Sequence, residues 1–476
     1  MKFPLLAKVG AILLVLLMVI AALSRIEALV VERGGRAQEA IRSVEQSHAA
    51  AQAIVGPMLQ RACTEEWDVA TGAGTNRVVT TDKRSFALLQ VPSRLAIDGR
   101  TQADPLYRGL FKVNAYTGHF GVVASFVDLA PMQPHATHAD GRLACDAPVL
   151  MLALSDVRGV RVAAVTIDGA TADAKPGTPN EKYPHGLHAT LAPTRVDGPE
   201  GARPLTVKLS LDLVGTSQLA WVPAADSVSW TLASDWPHPS FGGQFAPQQR
   251  AVRRDGFDAT WNLSALATSA STDVARGLDL CPPGAAPGNT GADDGAGAAT
   301  KPVNCLDTMA VAFIDPVNPY VLSDRAVKYD LLFVALTFIA VGLVEVLSGR
   351  RVHPVQYLLV GMALSLFFLL LLSLSEHLAF ETAYVIAAGA CALLLGFYAM
   401  SMLGRRLAGA TFGMGIALLY GLLYALLQME QDALAIGSVM LFAALAVVMT
   451  LTRRIDWYAL FVRLRVNAEP GEGRAS

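Results

Sequence analysis

Charge is scarce in this sequence: 16% of its 476 residues are Asp, Glu, Lys or Arg, against about 25% in a soluble protein. What charge there is nearly cancels, 38 basic residues against 40 acidic ones. That balance excludes the basic footprint of a nucleic-acid-binding protein. Catalytic signatures are missing too. The sequence contains no nucleophile elbow, HExxH helix, P-loop or dinucleotide fingerprint. Their absence lowers the expectation of an enzyme without excluding one, since a catalytic triad needs no fixed spacing. No cofactor is implied, and nothing assigns an oligomeric state. Cysteine is also sparse. Cys63, Cys145, Cys281 and Cys305 precede the C-terminal apolar region, and Cys391 lies inside it. An even set in one segment and a lone buried thiol in another fit an oxidising outer compartment.

Apolar sequence is what the chain has in abundance: 53% of residues are hydrophobic and the mean hydropathy is +0.40. An apolar run at 9–24 follows Lys2 and Lys8. Ala22-Leu23-Ser24 would suit signal-peptide cleavage, but span length and flanks favour a retained anchor. Five more apolar stretches lie at 331–348, 355–375, 382–403, 407–428 and 433–452. Each is near the length of about 20 residues that crosses a bilayer core. The sequence therefore predicts a membrane α-helical bundle of six transmembrane helices plus a large β-rich extracytoplasmic domain.

The loops predict direction. Arg350 and Arg351 follow the second span, Arg405 and Arg406 the fourth, and Arg453, Arg454, Arg463 and Arg465 the sixth. The loops at Glu376-His377 and at Glu430-Gln431-Asp432 hold no Lys or Arg. Basic residues thus alternate sides, which places both termini in the cytoplasm and residues 25–328 outside. The expected organisation is an anchor at 1–24, an outer domain at 25–328, a five-helix bundle at 329–452 and a cytoplasmic tail at 453–476.

The outer segment opens with a polar stretch at 33–53 that reads as a helix leaving the membrane, punctuated by Gly56-Pro57. Short alternating runs then follow at 85–91, 119–127, 160–166, 205–213 and 227–232, separated by turn residues. They predict antiparallel strands. About 300 residues is large for one sandwich, so one lobe and two are both open. The Gly/Ala-rich stretch within 281–305 cannot bury a core and predicts a flexible loop. A Cys281–Cys305 disulfide would clip its base, contributing roughly 3 kcal/mol in the chain-entropy model. Cys63 and Cys145 would then pair, although spacing leaves other connectivities open.

Candidate chemistry is thin. His135-Ala-Thr-His138 and His185-Gly-Leu-His188 could each offer two imidazoles, but no Cys or carboxylate completes a zinc set, and loop histidines are the plainer account. Within the five C-terminal spans Glu345 is the one ionisable residue. Such a residue is a functional candidate by default. It also lies close enough to the span end to snorkel or to pair with Arg350 or Arg351. Glu376 and His377 could relay protons or act as acid and base, or could simply make a polar turn. Gly409-Ala-Thr-Phe-Gly413, with Gly415, gives a small-residue face for close helix packing, within the chain or between chains.

Several stretches resemble one family. Arg350-Arg-Val-His-Pro-Val-Gln-Tyr-Leu-Leu-Val-Gly361, Leu371-Leu-Ser-Leu-Ser-Glu-His377 and Ala383-Tyr-Val-Ile-Ala-Ala388 are similar to the hallmark of CreD-type inner-membrane proteins. Ser155-Asp-Val-Arg-Gly159, Trp236-Pro-His-Pro-Ser-Phe-Gly-Gly243, Gly256-Phe-Asp-Ala-Thr-Trp261, Val317-Asn-Pro-Tyr320 and Arg325-Ala-Val-Lys-Tyr329 resemble it as well. The Gly/Ala-rich loop and Cys63 depart from the pattern. The resemblance implies a non-enzymatic role in cell envelope integrity, tolerance to certain colicins and a stress response tied to β-lactams. It nominates His353, Gln356, Tyr357, Glu376 and His377 as functional positions, beside Glu345. The implied partners are the lipid bilayer and periplasmic protein, peptidoglycan or lipid. A transporter or lipid-handling protein, and an enzyme acting on an envelope substrate, are the competing expectations.

Overall fold

The structure, a computed structural model, describes residues 4–71, 78–197, 203–283, 304–315, 319–348, 352–404, 406–428 and 433–453. The chain divides into two compact units. One, here the helical unit, comprises Met1–Gln38 and Val317–Ser476; the other, the β unit, is Glu39–Pro316.

The β unit holds two large mixed sheets. The first orders β11 (Lys175–Pro176), β12 (Gly186–Thr190), β8 (Val149–Leu154), β1 (Gln52–Thr71), β14 (Gln218–Trp221), β19 (Met309–Phe313) and β16 (Pro239–Gly243), with β2 (Val78–Gln90) and β7 (Arg142–Cys145) also paired to β1. The second orders β10 (Ala170–Ala172), β9 (Val160–Ile167), β13 (Leu205–Thr216), β6 (Ala115–Phe126), β3 (Arg94–Ala103), β15 (Ser227–Ser234), β18 (Gly256–Ser264) and β17 (Gln249–Arg253). A small hairpin, β4 (Leu106–Arg108) and β5 (Phe111–Val113), stands apart, and two short helices, α2 (Thr194–Asp197) and α3 (Ala270–Arg276), belong to the same unit.

Side-chain alternation explains how the sheets face each other. Along β13, Leu205, Val207, Leu209, Leu211 and Leu213 are buried while Lys208 and Ser210 are exposed. Along β6, Tyr116, Phe120, Val122, Ala124 and Phe126 do the same. These faces join Ile54, Leu59, Leu152, Trp221 and Val311 of the first sheet in one apolar cluster, the inner layer of a sandwich. Trp230 and Trp261, paired across β15 and β18, stack within it, ring centroids 4.3 Å apart. Phe120 fits because its neighbours are glycines. A Cβ on Gly118 would stand 2.5 Å from its ring, and one on Gly99 2.7 Å.

Two expectations need correction. The sheets are not purely antiparallel: β1 runs parallel to β14, and β15 parallel to β3. Alternation reports which face is buried, not which way the neighbouring strand runs. Gly56-Pro57 does not break the chain either. The helix ends at Ser47, and β1 passes straight through the dipeptide with a bulge between Val55 and Met58. Gly56 sits there at φ 103°, with Met151 O 2.9 Å from where a Cβ would be. Only glycine suits that conformation and approach.

The helical unit includes the first part of α1 (Pro4–Ser47), then α4 (Pro319–Lys328), α5 (Asp330–Ser348), α6 (Pro354–Ser375), α7 (Phe380–Leu403), α8 (Arg406–Gln428) and α9 (Ala433–Thr452). Among the described residues, four helices are long and apolar enough to cross a membrane: Gly10–Ser47, Pro354–Ser375, Phe380–Met402 and Arg406–Gln428. Pro319–Lys328 and Asp330–Glu345, bent by 46°, make a fifth if taken as one span, and Gly437–Thr450 is a shorter apolar helix. The apolar run at 331–348 therefore continues a preceding, more polar helix that hydropathy alone did not reveal.

The small residues of α8 face α7. A Cβ on Gly413 would stand 3.0 Å from Gly396 Cα, and one on Gly409 2.4 Å from Met400 N, whereas Gly415 faces open space. The close-packing face thus works within the chain, and Gly415 is not part of it. Arg350, Arg351 and Arg405, the loop at 429–432, the interior of the Gly/Ala-rich loop and the tail beyond 453 lie outside the described residues.

Candidate functional site

Helix α6 positions most of the nominated residues, and it separates them. His353 caps its start: Nδ1 accepts from Val355 N at 3.3 Å, and Gln356 Oε1 accepts from His353 N at 2.9 Å. Pro354 sits where its missing N–H costs nothing. Both nominated side chains are thereby engaged in starting the helix. One turn on, the Tyr357 hydroxyl donates to Glu345 Oε2 at 3.1 Å. Phe338 meets the Tyr357 ring edge-on at 5.6 Å. A carboxylate near an apolar helix end is thus held by a phenol. Gly361, which closes the hallmark stretch, leaves room for two neighbours: a Cβ there would stand 2.4 Å from Val19 of α1 and 3.1 Å from Phe338 of α5.

The other end of α6 carries Glu376 and His377. At about 1.5 Å per residue, 22 residues span roughly 33 Å. The nominated residues therefore form two clusters, not one site. Glu376 caps the helix, and its carboxylate lies 3.6 Å from the Arg33 guanidinium of α1. Tyr320 of α4 lies within electrostatic reach of both charges. His377 is exposed and donates its backbone N–H to Leu374 O. Among the described residues no hydrogen bond joins the Glu376 and His377 side chains, so the acid–base pairing is not assembled here. Arg33 is the partner sequence reasoning missed. The sequence held no local signal for that partner, although Tyr320 of the Val317-Asn-Pro-Tyr320 stretch is within electrostatic reach of both charges.

Between the two ends the helical core contains a second connection that the sequence did not disclose. Tyr384 donates to Tyr420 O at 2.7 Å, Tyr420 donates to Cys391 Sγ at 3.1 Å, and the Cys391 thiol donates to Ala363 O at 3.4 Å. Phe367 packs on both tyrosines. Thr337 and Ser365 turn their hydroxyls onto Phe333 O and Gly361 O of their own helices. These polar groups satisfy one another internally, as a low-dielectric surrounding demands.

The β unit has its own polar centre, on one face of β1. The Arg61 guanidinium, 4% exposed, grips Asp197 through two 2.7 Å bonds and donates to Met132 O and Asp146 O. Four residues on, Glu65 is fully buried. It accepts from the Thr137 hydroxyl at 2.6 Å, Thr137 N at 2.7 Å and His138 N at 2.9 Å. The Thr137 hydroxyl foremost, against the opposing effect of burial, with the two backbone amides and His138 adding to it, brings the Glu65 carboxyl down to about 2. His138 stacks on Trp67 with centroids 3.8 Å apart. The first histidine pair is thus divided, His138 serving this clamp. His188 Nδ1 meets Gly177 O at 2.7 Å. Among the described residues no group of three or more His, Cys, Asp or Glu could hold a metal ion. Arg61, Cys63, Glu65 and Trp67 share a face through their spacing of two, a pattern visible in the sequence once the strand is placed.

Cys63 is bonded to Cys145, its cross-strand neighbour on β7, and Cys281 to Cys305; Cys391 is a buried free thiol. The Ser155-Asp-Val-Arg-Gly159 stretch ties the end of α1 to the start of β1. Ser155 Oγ accepts from Ala53 N and donates to Ala51 O, Asp156 accepts from Ala50 N, and Arg158 donates to Asp156 and to Gln46 O. Burial alone would raise the Asp156 carboxyl. Arg158 and the backbone amides of Ala50 and Arg158 outweigh it and hold the group below the usual carboxylate range.

Helices fit to cross a membrane, together with a large disulfide-bonded β unit in the same chain, define an integral membrane protein that also carries a folded β domain. The chain belongs to the CreD family: the family model described as "Inner membrane protein CreD" matches residues 4–458. Over 463 residues it is 32% identical to the Inner membrane protein CreD of Escherichia coli (strain K12), covering 96% of this chain and 95% of that one. Among solved structures, an M1 zinc metallopeptidase from Deinococcus radiodurans overlaps 36% of this chain and 38% of its own at 12% identity. Its TM-score of 0.18 is too low to carry any argument.

Proposed function

We propose that this chain maintains the cell envelope as a non-enzymatic, multi-pass protein of the inner membrane. In this reading six spans cross the bilayer: an anchor at 1–24 and five in the bundle at 329–452. Both termini and the tail at 453–476 are cytoplasmic, and residues 25–328 lie in the periplasm. The β unit engages a periplasmic protein, peptidoglycan or lipid while the bundle anchors it. One observation carries the reading. Both disulfides lie in the β unit and the free thiol lies in the helical unit, the distribution expected when the former meets an oxidising compartment and the latter does not. The alternating basic loops and the family's inner-membrane description agree with it.

The test is complementation under envelope stress. A strain lacking the gene receives the full chain or residues 1–328, with membrane abundance checked by blotting. Growth with detergent or a β-lactam should be restored by the full chain. An envelope that is unchanged by the deletion under every such stress would sink the proposal. Rescue by residues 1–328 would make the β unit the effector and the bundle an anchor.

A further inference from the structure

Glu376 has a chemistry that its place at a helix end does not explain. Its side chain is nine-tenths buried, yet Oε1 accepts no hydrogen bond among the described residues. Its partner Arg33 is 3.6 Å away, near enough for charge attraction and too far for a hydrogen bond. Arg33 is also one-third exposed, so its side chain is not sealed from a ligand. A buried carboxylate oxygen without a donor is costly, and a hydrogen bond from a charged group repays most. The pair sits where apolar helices give way to polar sequence: Glu376 directly follows the apolar helix Pro354–Ser375, and Arg33 follows the apolar run of α1. Tyr320 brings a third element to the same place.

We propose that Arg33 and Glu376 bind the phosphoethanolamine headgroup of a bilayer lipid. Its ammonium donates to Glu376 Oε1, and its phosphate diester takes the guanidinium of Arg33. Each protein charge then exchanges a long contact with the other for a hydrogen-bonded contact with the ligand. The chemistry also says what is refused. A trimethylammonium head carries the same charges but has no N–H to donate. A glycerol-phosphate head offers no cation and brings its negative charge towards the carboxylate. The site rests on the reading that α6 crosses the bilayer.

The full chain, exchanged into nanodiscs of equal phosphatidylethanolamine, phosphatidylcholine and phosphatidylglycerol, is analysed for the lipids it retains on extraction. The wild type should retain phosphatidylethanolamine over phosphatidylcholine on the order of tenfold, the worth of one charge-assisted hydrogen bond. Glu376→Gln, which keeps shape and removes charge, should abolish that preference, and Arg33→Met should lower retention of all three. Absence of a preference in the wild type, or its survival in Glu376→Gln, overturns the proposal. So does displacement by soluble glycerophosphoethanolamine, which would assign the site to a free metabolite. Melting in phosphatidylcholine alone and in phosphatidylethanolamine separates binding from folding. A merely structural ion pair lowers the melting temperature equally in both, whereas a headgroup site gives the wild type a lipid-dependent shift that Glu376→Gln lacks. Labelling of His377→Cys with an impermeant maleimide tests the topology separately, so a failure of the topology and a failure of lipid selection are read by different signals.

Discussion

The two units bury polar groups in opposite ways. In the helical unit, hydroxyls and a thiol bond to backbone carbonyls or to one another, as Tyr384, Tyr420, Cys391, Thr337 and Ser365 do. In the β unit, full charges go inside: Arg61 against Asp197, and Glu65 against the amides and hydroxyl of the loop that covers it. The difference follows from what each unit has available. A sandwich can lay an irregular loop over a strand and offer it unpaired backbone amides. A bundle of continuous helices has spent its amides already and offers mainly carbonyls. The two carboxylates of the bundle described above accordingly sit near helix ends, Glu345 close to the end of α5 and Glu376 at the end of α6.

The largest test of this contrast concerns apolar packing. Trp261→Ala in the β unit should cost about 3–5 kcal/mol, because a water-driven core loses a stacked indole. Phe367→Ala in the helical unit should cost distinctly less, since lipid chains compete equally for an apolar surface and association rests on packing alone. Chemical denaturation of the full chain in detergent, followed by tryptophan fluorescence for the β unit and by helical circular dichroism for the bundle, checks both. Equal losses would mean that the two cores are held by the same force.

Next in size are the cysteines. Cys145→Ala opens a link closing a separation of 82 residues and should destabilise the β unit by about 2–4 kcal/mol. Cys391→Ala removes a thiol that accepts from Tyr420 and should cost about 1 kcal/mol. A reducing agent, which opens both disulfides, should lower the β-unit midpoint of the wild type and of Cys391→Ala alike, by at least the first loss, and leave the bundle midpoint of each unchanged.

The Glu65 clamp contributes in full at neutral pH and is lost in acid. Its folded carboxyl titrates at about 2, below the ordinary value of 4.5. A depressed carboxylate stabilises above the unfolded value and loses that contribution as pH falls through the folded one. Stability of the β unit should therefore decline between about pH 5 and pH 2. Glu65→Gln should start lower and flatten that decline, measured as the melting temperature against pH. An unaltered acid limb would show that another carboxylate governs it.

Much of this layout was legible in the sequence because the bilayer and the strand impose simple periods. Residues 355–375, 407–428 and 433–452 match helices nearly end for end, and 160–166, 205–213 and 227–232 fall inside strands. Parallel pairing of β1 with β14 was not legible, since alternation is the same in both senses. Nor was the Arg33–Glu376 contact. It joins residues 343 positions apart by subtraction, and local spacing holds no information about such a meeting. Glu65 escaped for a related reason. Its partners Thr137 and His138 belong to a covering loop whose path no periodicity fixes.

The smallest expected effect isolates the first turn of α6. Tyr357→Phe removes a single hydroxyl, the one donated to Glu345, and keeps the ring that Phe338 packs against. Hydrogen bonds between membrane helices average about 0.6 kcal/mol, so bundle stability should fall by about that amount. Glu345→Gln should cost no more, because an amide oxygen still accepts from the phenol. If Tyr357→Phe proves neutral for folding while the strain carrying it loses growth under envelope stress, the pair serves function and not the fold. If both fall together in proportion to protein abundance, the hydroxyl is a helix fastener, like the hydroxyls of Thr337 and Ser365 deeper in the same bundle.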